Sequence, residues 1–254
     1  MKVTIIQSNL IWEDVEGNLK QFSEKINSIK GETDLIVLPE MFATGFSMKP
    51  EKFASFEELQ IEWLAEHARK TNSVITGSII KKYSNQCFNS LIWMQPNGEF
   101  SVYNKRHLFT FAGEDKHYTA GSTLLNTKIQ DWKIRPLICY DLRFPVWSRN
   151  QNDYDVLIYV ANWPERRSDA WKILLKARAI ENQCYVIGVN RVGEDGNEIY
   201  HSGDSAIIDP KGNIISNIKA HEESVETVSL DLDELNAFRT KFPVADDADK
   251  FEIK

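Results

Sequence analysis

Residues 133–145 read KIRPLICYDLRFP and decide the fold more directly than any other stretch. An apolar strand ends at Cys139, and the chain turns at once through Tyr140 and Asp141 towards Pro145, a typical first residue of a helix. A nucleophile at such a junction faces a ligand while the next backbone N–H points at the ligand's carbonyl oxygen. The stretch therefore predicts a site at the carboxyl end of a strand in an α/β protein.

Other short β-branched runs have the length of buried strands and are too short to be core helices. They are VTII at 3–6, DLIVL at 34–38, VITGSII at 74–80, VLIYVA at 156–161 and YVIGV at 185–189. Two turn signals, PNGE at 96–99 and PKGN at 210–213, lie between strand-like runs and predict hairpins. Mixed sheets with outer helices follow, but the periodicity leaves open whether there is one sheet or two.

Helical periodicity alternates with these strands, which indicates an α/β fold. Apolar faces are formed by Leu19, Phe22, Ile26 and Ile29 in a segment ending near Gly31, by Ile61, Leu64, Ala65 and Ala68, and by Trp171, Leu174, Leu175 and Ala179. Ser168 is the predicted N-cap of the third helix. Arg178 falls on that helix's apolar face, so it should meet a carboxylate such as Glu181, either as a structural ion pair or as an anion anchor.

The composition is that of an ordinary globular chain, with 254 residues, 42% of them hydrophobic, and a net charge of −7. No repeat or Pro/Gly/Ser-rich linker divides it, so one domain over 1–254 is expected. Three cysteines suit a reducing compartment, and neither a signal peptide nor an apolar run of membrane-spanning length is recognisable. We therefore expect a soluble cytoplasmic protein that binds small molecules or itself, without nucleic-acid or membrane partners.

Searches for cofactor and metal motifs are negative: there is no GxxxxGK[ST], GxGxxG, HExxH or CxxC pattern. The five histidines show no ligand spacing with the cysteines, so no metal site is predicted.

Two further strand ends carry ionisable residues. In DLIVLPEMFATGFS at 34–47, Pro39 keeps the preceding residue extended, and Glu40 is the first charge after an apolar run, which suits a general base. In VYNKRHLFTFAGEDKHY at 102–118, Lys105 and Arg106 follow a strand, and a charged loop follows them. The alternative interpretations are a structural cap of a strand or helix end for Glu40 and a solvated charged loop for the second stretch.

The cysteines differ in their neighbours. Cys139 has Asp141 and Arg143 beside it, whereas Cys87 and Cys184 lie in apolar runs and are expected to be core. A reactive thiol needs a base and a nearby cation. Glu40 and Lys105 offer these two roles.

LPEMF at 38–42, YNKRHLF at 103–109 and LICYDLRFP at 137–145 resemble, in this order, the three catalytic motifs of the nitrilase superfamily of carbon-nitrogen hydrolases. The similarity runs over nearly the whole chain. Stretches that resemble the omega-amidase branch are FAGEDKHY, YVANWPERR, KARAIENQCYVIGVNRVG and HSGDSAIIDPKG. The resemblance implies a four-layer αββα sandwich of two mixed sheets, a homodimer, and a cofactor-free thiol amidase.

The resemblance also implies site roles. Glu40 would be the general base, Cys139 the nucleophile, and Lys105 the oxyanion stabiliser together with the backbone N–H of Tyr140. Glu114 matches a second glutamate found near such sites.

The omega-amidase resemblance implies a 2-oxo dicarboxylic acid monoamide as substrate, such as 2-oxoglutaramate or 2-oxosuccinamate. The carboxylate of such a substrate favours a planar guanidinium, which binds it bidentately. The candidate arginines are Arg143, Arg166 and Arg167, and the candidate walls are Phe42, Tyr140 and Trp163.

Three alternatives stay open at this stage. An aliphatic amidase, a carbamoyl-amine hydrolase or a nitrilase would use the same triad on another substrate. A Cys-His hydrolase would use His107 or His117 as its base, and a binding protein would have no turnover. The acidic segment after Leu230 is expected to be a solvated helix and tail, although covering the site or a partner subunit is an alternative.

Overall fold

The computed structural model describes residues 1–253. Its strands are β1 (Lys2–Gln7), β2 (Leu35–Val37), β3 (Val74–Tyr83), β4 (Gln86–Met94), β5 (Phe100–Asn104), β6 (Thr127–Ile129), β7 (Trp132–Ile138), β8 (Val156–Ala161), β9 (Tyr185–Asn190), β10 (Val192–Glu194), β11 (Tyr200–Ser202), β12 (Ala206–Ile208) and β13 (Ser224–Ser229). Its α-helices are α1 (Val15–Asn27), α2 (Pro50–Phe53), α3 (Glu57–Thr71), α4 (Pro145–Ser148), α5 (Ser168–Asn182) and α6 (Leu232–Lys241).

The strands form two large mixed sheets, which answers the question that periodicity left open. The six-stranded sheet has the order β13-β1-β2-β3-β4-β5, and the five-stranded sheet has the order β12-β9-β8-β7-β6. Each has three parallel central strands, β1 to β3 and β7 to β9, with antiparallel strands outside them. Both predicted hairpin turns join antiparallel segments, one between β4 and β5 and one beside β12. Strands β10 and β11 form a separate two-stranded ribbon.

The period-two alternation of the strands builds the layers. In β2, Leu35 and Val37 belong to the core shared with the second sheet, whereas Ile36 lies in the core under α1 and α3. Trp171 and Leu175 of α5 cover the outer side of the second sheet. The predicted αββα sandwich is therefore confirmed.

Two helix ends differ from the sequence prediction. Helix α1 ends at Asn27, so Ile29 lies beyond it. Ser168 is the first residue of α5 rather than its cap, because the 3-10 turn Glu165–Arg167 runs directly into the helix and leaves no separate end to cap. Within residues 1–253, no helix has the length and apolarity needed to cross a membrane.

Arg178 is a buried structural ion pair, as the first of its two interpretations states. One guanidinium nitrogen lies 2.8 Å from Glu181, and another donates to the Leu142 carbonyl at 2.7 Å. Since Leu142 belongs to the turn that follows β7, this contact anchors that turn to α5.

The C-terminal segment packs against its own subunit. Leu235 of α6 is buried, and Arg239 forms an ion pair with Asp155 at 2.6 Å. Residues 245–252 lie beside the loop 149–152. The prediction of a solvated helix is therefore correct for only one face of α6.

Candidate active site

Glu40, Lys105 and Cys139 come together from three distant parts of the chain. Glu40 follows β2, Lys105 directly follows β5, and Cys139 directly follows β7. The Lys105 Nζ lies 2.8 Å from Glu40 Oε1, and both side chains are fully buried. Among the charged groups around the Cys139 thiol, Glu40 has the largest effect on its pKa and raises it. The ends of three strands therefore bring a carboxylate, an ammonium and a thiol together in one cluster.

Glu114 joins this cluster from the loop that the sequence left ambiguous. Its two carboxylate oxygens each lie 3.0 Å from the Lys105 Nζ, and the Phe109 N–H donates to Oε2 at 2.6 Å. The neighbouring Asp115 and Lys116 are exposed. The loop is thus a solvated loop with one buried carboxylate.

Two asparagines that the sequence analysis missed hold Glu40 in place. The amide of Asn89 donates to Glu40 at 2.8 Å and to Glu114 at 3.3 Å. The backbone N–H of Asn162 donates to the other Glu40 oxygen at 2.8 Å. A polar residue inside an apolar strand was the available signal for Asn89. For Asn162 it was the polar residue at the end of β8.

Cys139 occupies a tight, strained turn. Its φ is +45°, a left-handed conformation that costs a non-glycine residue of the order of 1–3 kcal/mol. Burial raises the pKa of the thiol well above its usual range, and the negative charge of Glu40 adds to the rise while Lys105 opposes it. The Cys139 side chain is therefore a neutral thiol at rest.

The charged groups of the cluster shift one another's pKa values. Burial works against the ammonium form of Lys105, but Glu114 and Glu40 outweigh it and raise its pKa. Burial raises the pKa of Glu114, and the nearby Glu40 adds to the rise although Lys105 opposes it. Lys105 is therefore a permanent cation between two acids.

A cavity of about 250 Å³ opens above the cluster. Lys105 and Cys139 line it together with Phe46, Phe109, Phe111, Ala112, Tyr140, Arg143, Asn162, Trp163, Pro164, Arg166, Arg167, Asp195, Ile199 and His201. This volume lies below the roughly 300–1,000 Å³ of pockets for drug-sized ligands, so the cavity suits a small substrate. Tyr140, Trp163, Arg143 and Arg166 thus occupy the surroundings that the sequence analysis expected for them. None of the residues 231–253 lines it.

Phe42 does not line the cavity, which corrects the sequence prediction. It is buried against Phe22 and Trp63, with ring centroids 5.6 and 5.7 Å away. The reason is the turn after Glu40: Met41 has φ +44°, which directs Phe42 into the core. Phe46 takes the expected place, with the Lys105 Nζ 5.1 Å from its ring centroid.

Three guanidinium groups surround the cavity mouth. Arg143 lies over the Trp163 ring at 5.0 Å and Arg167 over the Phe109 ring at 5.1 Å, while Arg166 is exposed beside them. Burial, followed by the charge of Arg166, lowers the pKa of Arg167. None of the three forms an ion pair with a carboxylate of residues 1–253. The mouth therefore offers positive charge to an anionic ligand.

The histidines of the Cys-His alternative do not line the cavity. His107 Nδ1 lies 2.8 Å from Asp141, and His117 is exposed. In the part of the chain that the structure describes, no group of three His, Cys, Asp or Glu side chains is arranged to hold a metal ion. Cys87 and Cys184 are both buried in the core, as expected.

His201 is a buried, neutral cavity residue. Burial, reinforced by the charge of Arg191, lowers its pKa to about 4. We expect the free energy of unfolding to fall as the pH drops from 6.5 to about 4. In this window His201 binds a proton in the unfolded chain but not in the folded protein. The loss amounts to about 3 kcal/mol.

Urea unfolding at several pH values, for wild type and His201→Asn, measures this effect. The variant is expected to lose less stability than wild type across the window, because asparagine does not titrate. Equal losses in the two proteins would contradict the expectation.

The fold is the one that the resemblance implies for a hydrolase of carbon-nitrogen bonds, and Glu40, Lys105 and Cys139 lie close together within it. The family described as "Carbon-nitrogen hydrolase" matches residues 2–240. The chain belongs to this family.

Similar proteins place the chain within the family. It is 44% identical to Omega-amidase YafV of Escherichia coli (strain K12), over all of this chain and 98% of that protein. It is 33% identical to 2-oxoglutaramate amidase of Bacillus subtilis (strain 168), covering 98% and 99% of the two chains. XC1258 from Xanthomonas campestris, a CN-hydrolase superfamily protein, superposes with a TM-score of 0.97 at 38% identity, covering 100% and 99%. The predicted omega-amidase branch is therefore confirmed.

Proposed function

We propose that the protein hydrolyses the omega-amide of a 2-oxo dicarboxylic acid monoamide, such as 2-oxoglutaramate or 2-oxosuccinamate, to the dicarboxylate and ammonia. The observation that carries the proposal is a buried Cys139, Glu40 and Lys105 cluster at the floor of a small cavity whose mouth is cationic. The names of the omega-amidase and 2-oxoglutaramate amidase relatives support the same substrate class.

The reaction begins with the thiol. Glu40 takes the Cys139 proton as the sulfur attacks the amide carbon, so a C–S bond forms and the carbonyl oxygen becomes an oxyanion. Transfer during attack fits the raised pKa of the thiol, because a free thiolate is disfavoured in this buried, acidic surrounding.

The oxyanion lies against donors that are in place beforehand. Lys105 and the backbone N–H of Tyr140 stabilise it, and losing one such donor typically costs roughly 3–4 kcal/mol of barrier. Glu114 and Asn89 act on this step indirectly, because Glu114 holds the Lys105 ammonium and Asn89 holds the Glu40 carboxylate.

Glu40 completes both halves of the reaction. It gives its proton to the amide nitrogen, the C–N bond breaks, and ammonia leaves a thioester on Cys139. Glu40 then takes a proton from water as its oxygen attacks the thioester carbon. Collapse of the second oxyanion releases the carboxylic acid product, and the sulfur recovers its proton from Glu40.

The substrate carboxylate binds at the cationic mouth. Arg167 is the strongest candidate because it is half-buried and interacts electrostatically with both Cys139 and Tyr140. Arg143 and Arg166 are more exposed, so water screens their charge more effectively.

Arg167→Ala is expected to raise KM for 2-oxoglutaramate about 10- to 100-fold with little change in kcat, since a hydrogen bond to a charged group contributes about 1.5–3 kcal/mol. Steady-state kinetics measures this, with Arg143→Ala and Arg166→Ala as smaller effects. Butanamide, which has no carboxylate, is the matched control and should show no increase in KM. If KM is unchanged even in the triple variant, the carboxylate is bound elsewhere.

Ammonia release by the purified wild type tests the function itself. 2-Oxoglutaramate is compared with glutamine, an aliphatic nitrile, a carbamoyl amine and butanamide. Preference for the oxo-amide supports the proposal. Preference for another of these compounds would keep the thiol chemistry and replace the substrate.

We further propose a cytoplasmic homodimer. Three unpaired cysteines suit a reducing compartment. Ile173 and Ile180, seven residues apart on the outer side of α5, are 65% and 54% exposed, which supports helix packing against a second copy. Light scattering of wild type and Ile173→Asp tests this assembly.

A further inference from the structure

Asp141 is a fully buried carboxylate that the proposed mechanism does not use. Its Oδ2 accepts hydrogen bonds from the Ile138 N–H at 3.0 Å and the Tyr103 hydroxyl at 2.7 Å. Its Oδ1 accepts from the His107 N–H at 3.0 Å and lies 2.8 Å from His107 Nδ1. Four polar groups on three residues therefore surround the two carboxylate oxygens.

These partners belong to two different segments. Ile138 is the last residue of β7 and directly precedes Cys139, whereas Tyr103 within β5 and His107 beyond it flank Lys105. The Tyr103 hydroxyl also accepts from the Arg106 N–H at 3.3 Å, next to Lys105. The Asp141 side chain therefore joins the Tyr103 hydroxyl and the His107 backbone, on the two sides of Lys105, to the backbone N–H that precedes Cys139.

The thiol turn needs such support. Cys139 has a left-handed φ that its neighbours must enforce, because a cysteine does not prefer it. Beyond Asp141, the Leu142 carbonyl is held by Arg178. Lys105 and the Tyr140 N–H reach the same oxyanion only when the two segments keep their relative position.

We propose that Asp141 is a positioning residue, which sets the thiol turn and the Lys105 segment in one geometry so that attack and oxyanion binding occur together. This inference rests on the proposed thiol mechanism but not on the identity of the amide. It predicts that weakening the Asp141 contacts lowers kcat with KM nearly unchanged, because the arginines of the mouth are left intact.

Asp141→Asn is a sharp test because each carboxylate oxygen faces one backbone N–H. The Tyr103 hydroxyl can rotate and the His107 imidazole can change tautomer to suit an asparagine, but the backbone N–H groups of Ile138 and His107 can only donate. The asparagine NH₂ must oppose one of them in either orientation. We expect a fall in kcat of about 100-fold, the size of effect that a displacement of about 1 Å produces.

Two further variants separate positioning from general stability. Leu235→Ala creates a cavity under α6, away from the site, and should lower Tm without changing the kcat of the folded protein. Tyr103→Phe removes one side-chain donor and keeps both backbone donors, so its loss of kcat should be smaller than that of Asp141→Asn. If Asp141→Asn does not fold, Tyr103→Phe decides by the same measurements.

The rate of Cys139 alkylation by iodoacetamide, located by peptide mass, is a second readout that needs no substrate. In Asp141→Asn we expect Cys139 to be labelled more slowly than in wild type, while Cys87 and Cys184 stay unlabelled. Cys87 and Cys184 are 4% and 0% exposed, so their labelling would report opening of the core. The proposal would be overturned if the folded Asp141→Asn and Tyr103→Phe variants kept the wild-type kcat and the wild-type rate of Cys139 labelling, as Leu235→Ala is expected to. If 2-oxoglutaramate is not the substrate, wild-type turnover of it fails while the labelling contrast remains.

Discussion

Cys139→Ala is expected to reduce ammonia release from 2-oxoglutaramate by of the order of 10⁶-fold, the loss seen when the nucleophile of a covalent hydrolase is removed. Without the sulfur no thioester forms, and Glu40 lacks the proton that it must deliver to the leaving nitrogen. Substrate affinity should be retained, because the arginines and aromatic walls are unchanged. Rates come from an ammonia assay, and affinity comes from calorimetry with the inactive variant.

Cys87→Ala and Cys184→Ala are the matched controls. Both side chains are buried away from the cavity, so both variants should keep wild-type turnover once folded. A Cys139→Ser protein with wild-type turnover would contradict the nucleophile assignment, because a hydroxyl is a much weaker nucleophile than a thiol in contact with a carboxylate.

The strand ends explain why so much of the cluster was readable from the sequence. Lys105 and Cys139 directly follow β5 and β7, and Glu40 lies three residues beyond β2. The carboxyl ends of parallel strands lie at one edge of a sheet, and the packing of the two sheets brings the three positions together regardless of their separation along the chain. The apolar runs that predicted β8 and β9 are found at those positions, because period and length are properties of the local sequence.

Other parts of the site depend on backbone geometry that side-chain identity does not encode. The donors to Glu40 and Glu114 include the backbone N–H groups of Asn162 and Phe109. Phe46 rather than Phe42 lines the cavity because the chain takes a left-handed turn at Met41. Neither contact leaves a periodic or compositional signal.

The cavity wall formed by Asp195 and His201 was missed for a different reason. Both residues lie on or beside the ribbon of β10 and β11, which contacts the site only after the two sheets have packed. Ribbon strands of three residues are too short for periodicity to place them.

Burial and the charge balance of the cluster together explain why the thiol stays protonated. Two buried carboxylates share one lysine, so the site carries excess negative charge before any thiolate forms. A second anion beside Glu40 is therefore unfavourable, in agreement with the raised pKa of Cys139. In the proposed mechanism the proton therefore leaves the thiol during attack, and Glu40 accepts it.

Glu40→Gln is consequently expected to lower kcat by about 10²- to 10⁴-fold, the usual contribution of a general base. The glutamine oxygen still accepts from Lys105 or Asn89, so the fold of the site should persist. Glu114→Gln is the control of equal size and chemistry. Because Glu114 touches Lys105 and not the thiol, its loss of kcat should be smaller than that of Glu40→Gln.

The pH dependence distinguishes loss of the base from misplacement of Lys105. In Glu40→Gln the thiol has no internal acceptor, and burial still raises its pKa, so thiolate forms only as the pH rises. Alkylation of Cys139 in this variant should therefore accelerate steadily with pH up to 10, whereas wild type should depend on pH far less. Wild-type kcat at neutral pH in Glu40→Gln would assign the base to another group. An alkylation rate in Glu40→Gln that does not increase with pH would show that the thiol proton is transferred to an acceptor other than Glu40.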